Sequence, residues 1–154
     1  MQVKDAMKKD VIKVRRSTSL RTLLSIFKDF HSLPLIPVVN GNDRLIGIVC
    51  SESLLDLLRP RQTKLFRNVP FVEIDKAVFD LDPLPAMGEL IITEDIMDTN
   101  FVVIGEDDSL ADAYKSLQLH KREKLPVVDK EGRLLGIIGI FDIIWRMFKE
   151  KGIV

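Results

Sequence analysis

The chain repeats itself, and the repeat limits every other reading of it. Asp5-Ala6-Met7 returns ninety residues on as Asp95-Ile96-Met97; in the same register Val11-Ile12-Lys13-Val14 falls on Phe101-Val102-Val103-Ile104, and Ser19-Leu20 on Ser109-Leu110. One deletion then shortens the offset to eighty-nine, which matches Pro37-Val38-Val39 with Pro126-Val127-Val128 and Arg44-Leu45-Ile46-Gly47-Ile48 with Arg133-Leu134-Leu135-Gly136-Ile137. A unit this small cannot bury its own apolar faces, so the two copies are expected to pack against each other about a pseudo-twofold axis.

The second copy shows the local grammar best. Pro126 to Val128 is a short apolar run, Asp129 to Gly132 is polar and carries a glycine as a tight turn requires, and Leu134 to Ile138 is a second apolar run, so the stretch reads as a hairpin. Gly139 ends the strand, and Asp142 stands three residues later, where a side chain in the first helical turn meets free backbone N–H groups. Earlier in each copy a strand over Val11 to Val14, or over Phe101 to Ile104, leads into a helix. Ser17 to Ser19 supplies the cap of the first of these helices. Leu20, Leu23, Leu24 and Phe27 in one copy, and Leu110, Ala113, Tyr114 and Leu117 in the other, recur at helical spacing. Pro37 and Pro126 are expected to start the second strands. The order per copy is strand, helix, strand, strand, helix, preceded by a helical turn at Val3 to Met7 or Thr93 to Met97. This is an α/β (α+β) chain with one small sheet per repeat. The division is 1–58 for repeat one, 59–92 for a connecting segment, 93–150 for repeat two and 151–154 for a tail.

The final helices are apolar nearly all round: Leu54, Leu55, Leu57 and Leu58 in one copy, and Ile140, Phe141, Ile143, Ile144, Trp145, Met147 and Phe148 in the other. A helix without a polar face needs cover on several sides, so apolar surface is left for a homodimer contact. The connection from Arg59 to Ile92 is too long for a passive loop and is expected to be packed. Its first part is basic (Arg59, Arg61, Lys64, Arg67) and its second acidic (Glu73, Asp75, Asp80, Asp82), a distribution that solvated, mutually paired surface explains, the alternative being a nucleic-acid- or partner-binding role for the basic part.

Charge narrows the function. Twenty-three basic and 23 acidic residues cancel, which argues against a bulk polyanion partner and makes nucleic-acid binding unlikely. A single cysteine, Cys50, excludes an intramolecular disulfide and fits a reducing compartment; with a charged N-terminus and no apolar span of about 20 residues, the expectation is a cytoplasmic protein with no membrane segment. An enzyme is not expected. His31 and His120 have no metal-spaced neighbours, nucleophile and phosphate-loop motifs are missing, and Asp107-Asp108 aligns with Ser17-Thr18 ahead of a helix, where capping accounts for it.

Two tandem copies of Asp-x-Met, strand, Ser-Leu-opened helix, Pro-Val-Val, turn, Arg-Leu-x-Gly-Ile and closing helix resemble a pair of cystathionine-β-synthase-like (CBS) domains, also called a Bateman module. The resemblance implies a pseudo-symmetric pair packed face to face, often dimeric, that binds AMP, ADP, ATP or S-adenosylmethionine in clefts between the copies and regulates a partner. It implies no catalytic cofactor. The family's ligand signature is Gly-hydrophobic-x-Thr/Ser-x-x-Asp. A short residue at the helix start leaves N–H groups for phosphate, and the carboxylate accepts from the ribose hydroxyls. Here Asp142 fills the carboxylate position and Gly139 replaces the hydroxyl residue, with Ile140 next to it. Lys124 stands where related modules often carry a phosphate-contacting base, and adenine is expected against Phe101, Val102, Leu125, Pro126 and Val127, with Asn100 adding an amide. The other cleft, over Val11, Ile12, Ile36 and Pro37, has Cys50 and Ser53 at the signature positions and Leu35 in place of the lysine, so it is the weaker one. The competing reading is a ligand-free dimerisation scaffold, in which Asp142 only caps its helix.

Overall fold

In each copy the hairpin and the helix that follows it form one continuous piece. A computed structural model describes residues 1–29, 35–58 and 84–154; the charged stretch from Arg59 to Asp82 and His31 lie outside the described residues. Repeat one contains α1 (Leu20–Ile26), β1 (Leu35–Val39), β2 (Leu45–Cys50) and α2 (Ser51–Leu58). After α3 (Leu84–Leu90) and the turn α4 (Thr93–Ile96), repeat two contains β3 (Ile104–Gly105), α5 (Leu110–Leu119), β4 (Lys124–Val128), β5 (Leu134–Gly139) and α6 (Ile140–Glu150). Ser19 and Ser109 cap α1 and α5, their hydroxyls accepting the N–H groups of Thr22 and Asp112 at 3.2 and 3.0 Å. On those helices Leu20, Leu23 and Phe27, like Leu110, Ala113 and Leu117, are buried, whereas the matched pair Leu24 and Tyr114 lies at the exposed edge of the apolar stripe.

The first strand of each repeat is shorter than the apolar runs imply, and the prolines explain why. Val14 donates to Pro37 O at 3.0 Å and accepts from Val39 N at 2.9 Å, the two bonds of a parallel ladder. The next rung back needs an N–H from residue 37, which proline lacks, so the pairing stops at Val14. In repeat two Ile104 pairs with Val127 one residue beyond Pro126, and β3 likewise begins at Ile104 with Phe101 to Val103 left outside it. The prolines do not begin the second strands either: β1 and β4 start two residues earlier, and Pro37 and Pro126 sit mid-strand opposite Ile48 and Ile137 with their missing donors turned away from the hairpin partner.

The two repeats exchange their leading segments. Lys8 and Ile137 trade two backbone bonds of 2.9 Å, and Asp98 and Ile48 trade bonds of 2.8 and 3.0 Å. Val3, Ala6 and Met7 thereby pack into the core of repeat two with Leu125, Val127 and Ile138, while Ile96 and Met97 pack into the core of repeat one with Ile36, Val38 and Val49. Between them lies a shared layer of Leu35, Ile48 and Ile137 flanked by Val11 and Phe101. At the far end the hairpin tips also join, Leu45 N to Gly132 O at 3.0 Å and Leu134 N to Asp43 O at 2.8 Å. The sheets therefore face each other across an apolar layer, and each copy is completed by the other.

Candidate ligand cleft at the start of helix α6

Strand β5 runs directly into α6 at Gly139, and the geometry there is set by one carboxylate. Asp142 Oδ2 accepts the Gly139 N–H at 2.8 Å, capping the helix, and the side chain is only 11% exposed. Its other oxygen, Oδ1, lies 3.7 Å from Lys8 Nζ, an ammonium delivered by the exchanged N-terminal segment. Gly139 pairs with Lys124 across the hairpin, and a Cβ at Gly139 would stand 3.2 Å from both Glu123 O and Lys124 Cγ. A side chain at 139 would therefore press on the backbone of the β4 entry, which would have to give by a few tenths of an ångström, and glycine avoids that contact.

The remaining expected residues divide by strand face. Leu125 and Val127 are buried with Ile138 in the core of repeat two, so they form part of its floor and not an open wall. Pro126, on the opposite face, is buried opposite Ile137 of the layer between the repeats. Ile140 and Val102 are half-buried against the repeat-two core, and Phe101 packs in the shared layer. The Asn100 backbone N–H is turned to Asp98 Oδ1 at 2.9 Å. Because Asp98 is bound to Ile48 of β2, the entry to Asn100 runs along repeat one; the segment that runs along β5 beside Asp142 is Lys8 to Val11. Lys8 went unremarked in the sequence, although the offset sets it against Asp98, an inversion of charge at one symmetric position.

The first cleft is built on the same plan with weaker groups. Ser53 Oγ accepts the Cys50 N–H at 3.3 Å and lies 3.5 Å from Cys50 Sγ, so a hydroxyl makes the cap that a carboxylate makes in repeat two. Ile36 is buried in the core, Pro37 lies on the layer face, Val11 is half-buried there and Ile12 is 48% exposed.

Elsewhere, an open depression near the β4–β5 turn is lined by Glu106, Asp107, Asp108, Asp129 and Glu131 with Lys130 and Arg133, at the opposite end of the sheet from Gly139. Its carboxylates are occupied locally. Asp108 accepts from Gly105 N at 2.7 Å, Asp107 pairs with Lys4 at 2.9 Å and Asp129 with Arg133 at 2.8 Å. Asp107 and Asp108 are thus each held by a separate partner, and the helix that follows is capped by Ser109. Among the described residues no group of three histidine, cysteine or acidic side chains is arranged to hold a metal, and no helix is long and apolar enough to cross a membrane.

The family model described as CBS domain matches residues 3–60 and 93–149. The chain belongs to the CBS-domain family. A relative from Methanocaldococcus jannaschii, the uncharacterized protein MJ1426, is 27% identical over 158 residues, which cover 94% of this chain and 89% of that one. The structure of CBSX2 in complex with AMP superposes with a TM-score of 0.72 at 24% identity, covering 97% of this chain and 98% of CBSX2. The CBS domain pair of MJ0100 in complex with 5′-methylthioadenosine and S-adenosylmethionine gives a TM-score of 0.66 at 22% identity, with 98% of each chain covered. At these identities the neighbours establish the CBS-pair fold.

Proposed function

We propose that this CBS pair is a regulatory module that binds an adenosine-containing ligand (AMP, ADP, ATP or S-adenosylmethionine) in the Asp142 cleft and passes a change in repeat-to-repeat geometry to a partner protein. The observation that carries the proposal is the half-used carboxylate of Asp142. One oxygen is fixed by Gly139, so the group is held rigidly, while Oδ1 has lone pairs left for the two hydroxyls of a ribose. The CBS pairs in the two solved complexes hold adenosine derivatives, which supports that ligand class here. The Lys8–Ile137 bridge gives the signal a route, since the segment beside the cleft belongs to the other repeat. One cysteine and no other redox group fits work in the cytoplasm.

Ligand-linked stability is the test. A ligand at 100 times its Kd adds about 2.7 kcal/mol, which for a domain of this size raises Tm by about 5–10 °C. Asp142→Asn keeps the cap but lowers the affinity for ribose hydroxyls, so it should melt like the parent and lose most of that rise. No rise with any of the four ligands at millimolar concentration refutes the proposal.

A second reading, a homodimer built through the final helices, rests on a separate observation: Phe141 and Trp145 stack with ring centroids 6.3 Å apart on the outside of α6, 70% and 51% exposed. The two readings are compatible, since Asp142 is turned inward, with its carboxylate bonded to Gly139 and its side chain 11% exposed, while the stacked pair is exposed.

A further inference from the structure

We infer that Lys8 sets the ligand class of the Asp142 cleft, selecting a phosphorylated adenosine over a neutral or sulfonium one; this rests on the reading of the cleft proposed above. The ammonium of Lys8 sits 3.7 Å from Asp142 Oδ1, close enough for strong attraction and too far for a hydrogen bond, on a side chain that is 66% exposed. It therefore balances the carboxylate without filling the lone pairs that a ribose would use. When a ribose diol takes Oδ1, the attraction on Lys8 weakens and its long, mobile stem can carry the charge to whatever the ribose bears at its 5′ position. A phosphate there gains a charge-assisted contact. A sulfonium meets a like charge, and a bare hydroxyl or thioether gains little. The backbone of Lys8 is meanwhile fixed by its two bonds to Ile137, so the ammonium is tethered at the cleft and does not wander with a free terminus.

The first cleft supplies an internal comparison. Asp98 holds the position symmetric to Lys8, bridged to Ile48 as Lys8 is to Ile137. The residue in that position supplies no ammonium: Asp98 Oδ1 accepts the Asn100 N–H at 2.9 Å, and the cap of the first cleft is the neutral Ser53. A phosphorylated ligand is disfavoured there, so the expected stoichiometry is one phosphorylated nucleotide per chain.

The experiment is calorimetric titration of the full chain with AMP, adenosine and S-adenosylmethionine, using the parent, Lys8→Ala, Lys8→Glu, Lys8→Arg and Asp142→Asn. Lys8 is exposed and contributes to the bridge only through its backbone, so these variants retain the fold; an unchanged circular dichroism melt verifies it. The parent should bind one AMP per chain and prefer AMP to adenosine by about two- to fivefold, the range of one partly exposed ion contact. Lys8→Ala should abolish that preference by weakening AMP while leaving adenosine unchanged or tighter. Lys8→Glu should reverse the order of AMP and S-adenosylmethionine, and Lys8→Arg should restore the parent's order. If AMP binds and Asp142→Asn weakens it, yet the ratio of AMP to adenosine is the same in the parent and Lys8→Ala, this inference is overturned and the cleft reading stands. If the parent binds none of the three and neither ADP nor ATP raises its Tm, both are overturned.

Discussion

At the tip of each hairpin a side-chain oxygen binds two backbone N–H groups. Asn40 Oδ1 takes those of Asn42 and Arg44 at 2.9 and 3.0 Å, and Asp129 Oδ1 takes those of Glu131 and Arg133 at 2.9 Å each. The turns also need a left-handed residue, Gly132 at φ 82° in one and Asp43 at φ 62° in the other, where a short polar side chain is tolerated. The difference between the copies is the charge on Asp129. Hydrogen bonds from the Arg133 backbone, with the Arg133 guanidinium adding to them, hold its carboxyl below the ordinary value of 3.8. A carboxyl depressed in the folded state stabilises the fold above its unfolded pKa and loses that contribution as pH falls through the lower, folded value. Asp129→Asn should keep the turn geometry, as Asn40 demonstrates, and give up the charge with the hydrogen bond that Oδ2 accepts from Arg133 Nε. The variant should be slightly less stable than the parent at neutral pH, and the gap should narrow as pH falls below the ordinary carboxylate range and through the depressed folded value; urea midpoints across a pH series measure it. A gap that stays constant with pH contradicts the assignment.

Among the elements, the exchanged segments place two glycines under close backbone. A Cβ on Gly136 would run into Lys8 O and Lys8 C, main-chain atoms of the bridge that ties the N-terminus to β5. A Cβ on Gly47 would meet Met97 Sδ at 2.7 Å and Asp98 O at 3.3 Å, so the worst contact there is the end of a flexible side chain. Gly136→Ala should therefore cost about 3 kcal/mol and Gly47→Ala about 1 kcal/mol. Chemical denaturation ranks the two, and equal losses would mean that the bridges are not the rigid feature. The Arg-Leu-x-Gly-Ile motif was legible in the sequence as a repeated element, as were the hairpins, the serine caps and the Asp142 cap, because each is a local pattern of turn chemistry or periodicity. The exchange was not legible. Lys8 meets Ile137 through main-chain bonds that any residue makes, and nothing in the spacing marks which copy a leading segment joins. For the same reason the sequence placed Asn100 with Asp142 and left Lys8 out, and it drew the first strands from apolar runs without counting the donors that Pro37 and Pro126 remove.

For the molecule as a whole, burial is uneven. Both repeat cores and the layer between them are sealed, yet α6 has one fully buried residue, Ile143, while Phe141, Ile144, Trp145, Met147 and Phe148 are between 40% and 70% exposed. Helix α2 has no fully buried residue. Exposed aromatics scattered singly are ordinary, but five large apolar side chains on one helix form a continuous patch of the kind that marks an interface. The patch lies on the symmetric part of the molecule and self-complementary surfaces pair by twofold axes, so a second copy is the occupant we propose. The ring stack of Phe141 and Trp145 is its centre, and rigid aromatics at the middle of an interface carry most of the binding energy. Trp145→Asp puts a charge there with no partner, a change expected to cost more than 3 kcal/mol of association and so to raise the dimer dissociation constant by more than about a hundredfold. Sedimentation equilibrium at micromolar concentration should show a dimer for the parent and a monomer for the variant. Asp142 neighbours Trp145 one turn away on α6 but is turned inward and bonded to Gly139, so the monomeric variant should still bind the nucleotide, with any loss of affinity marking contact between the two adjoining surfaces. A parent that is monomeric at these concentrations, or a variant that remains dimeric, removes the second copy from the proposal and leaves the patch for the regulated partner.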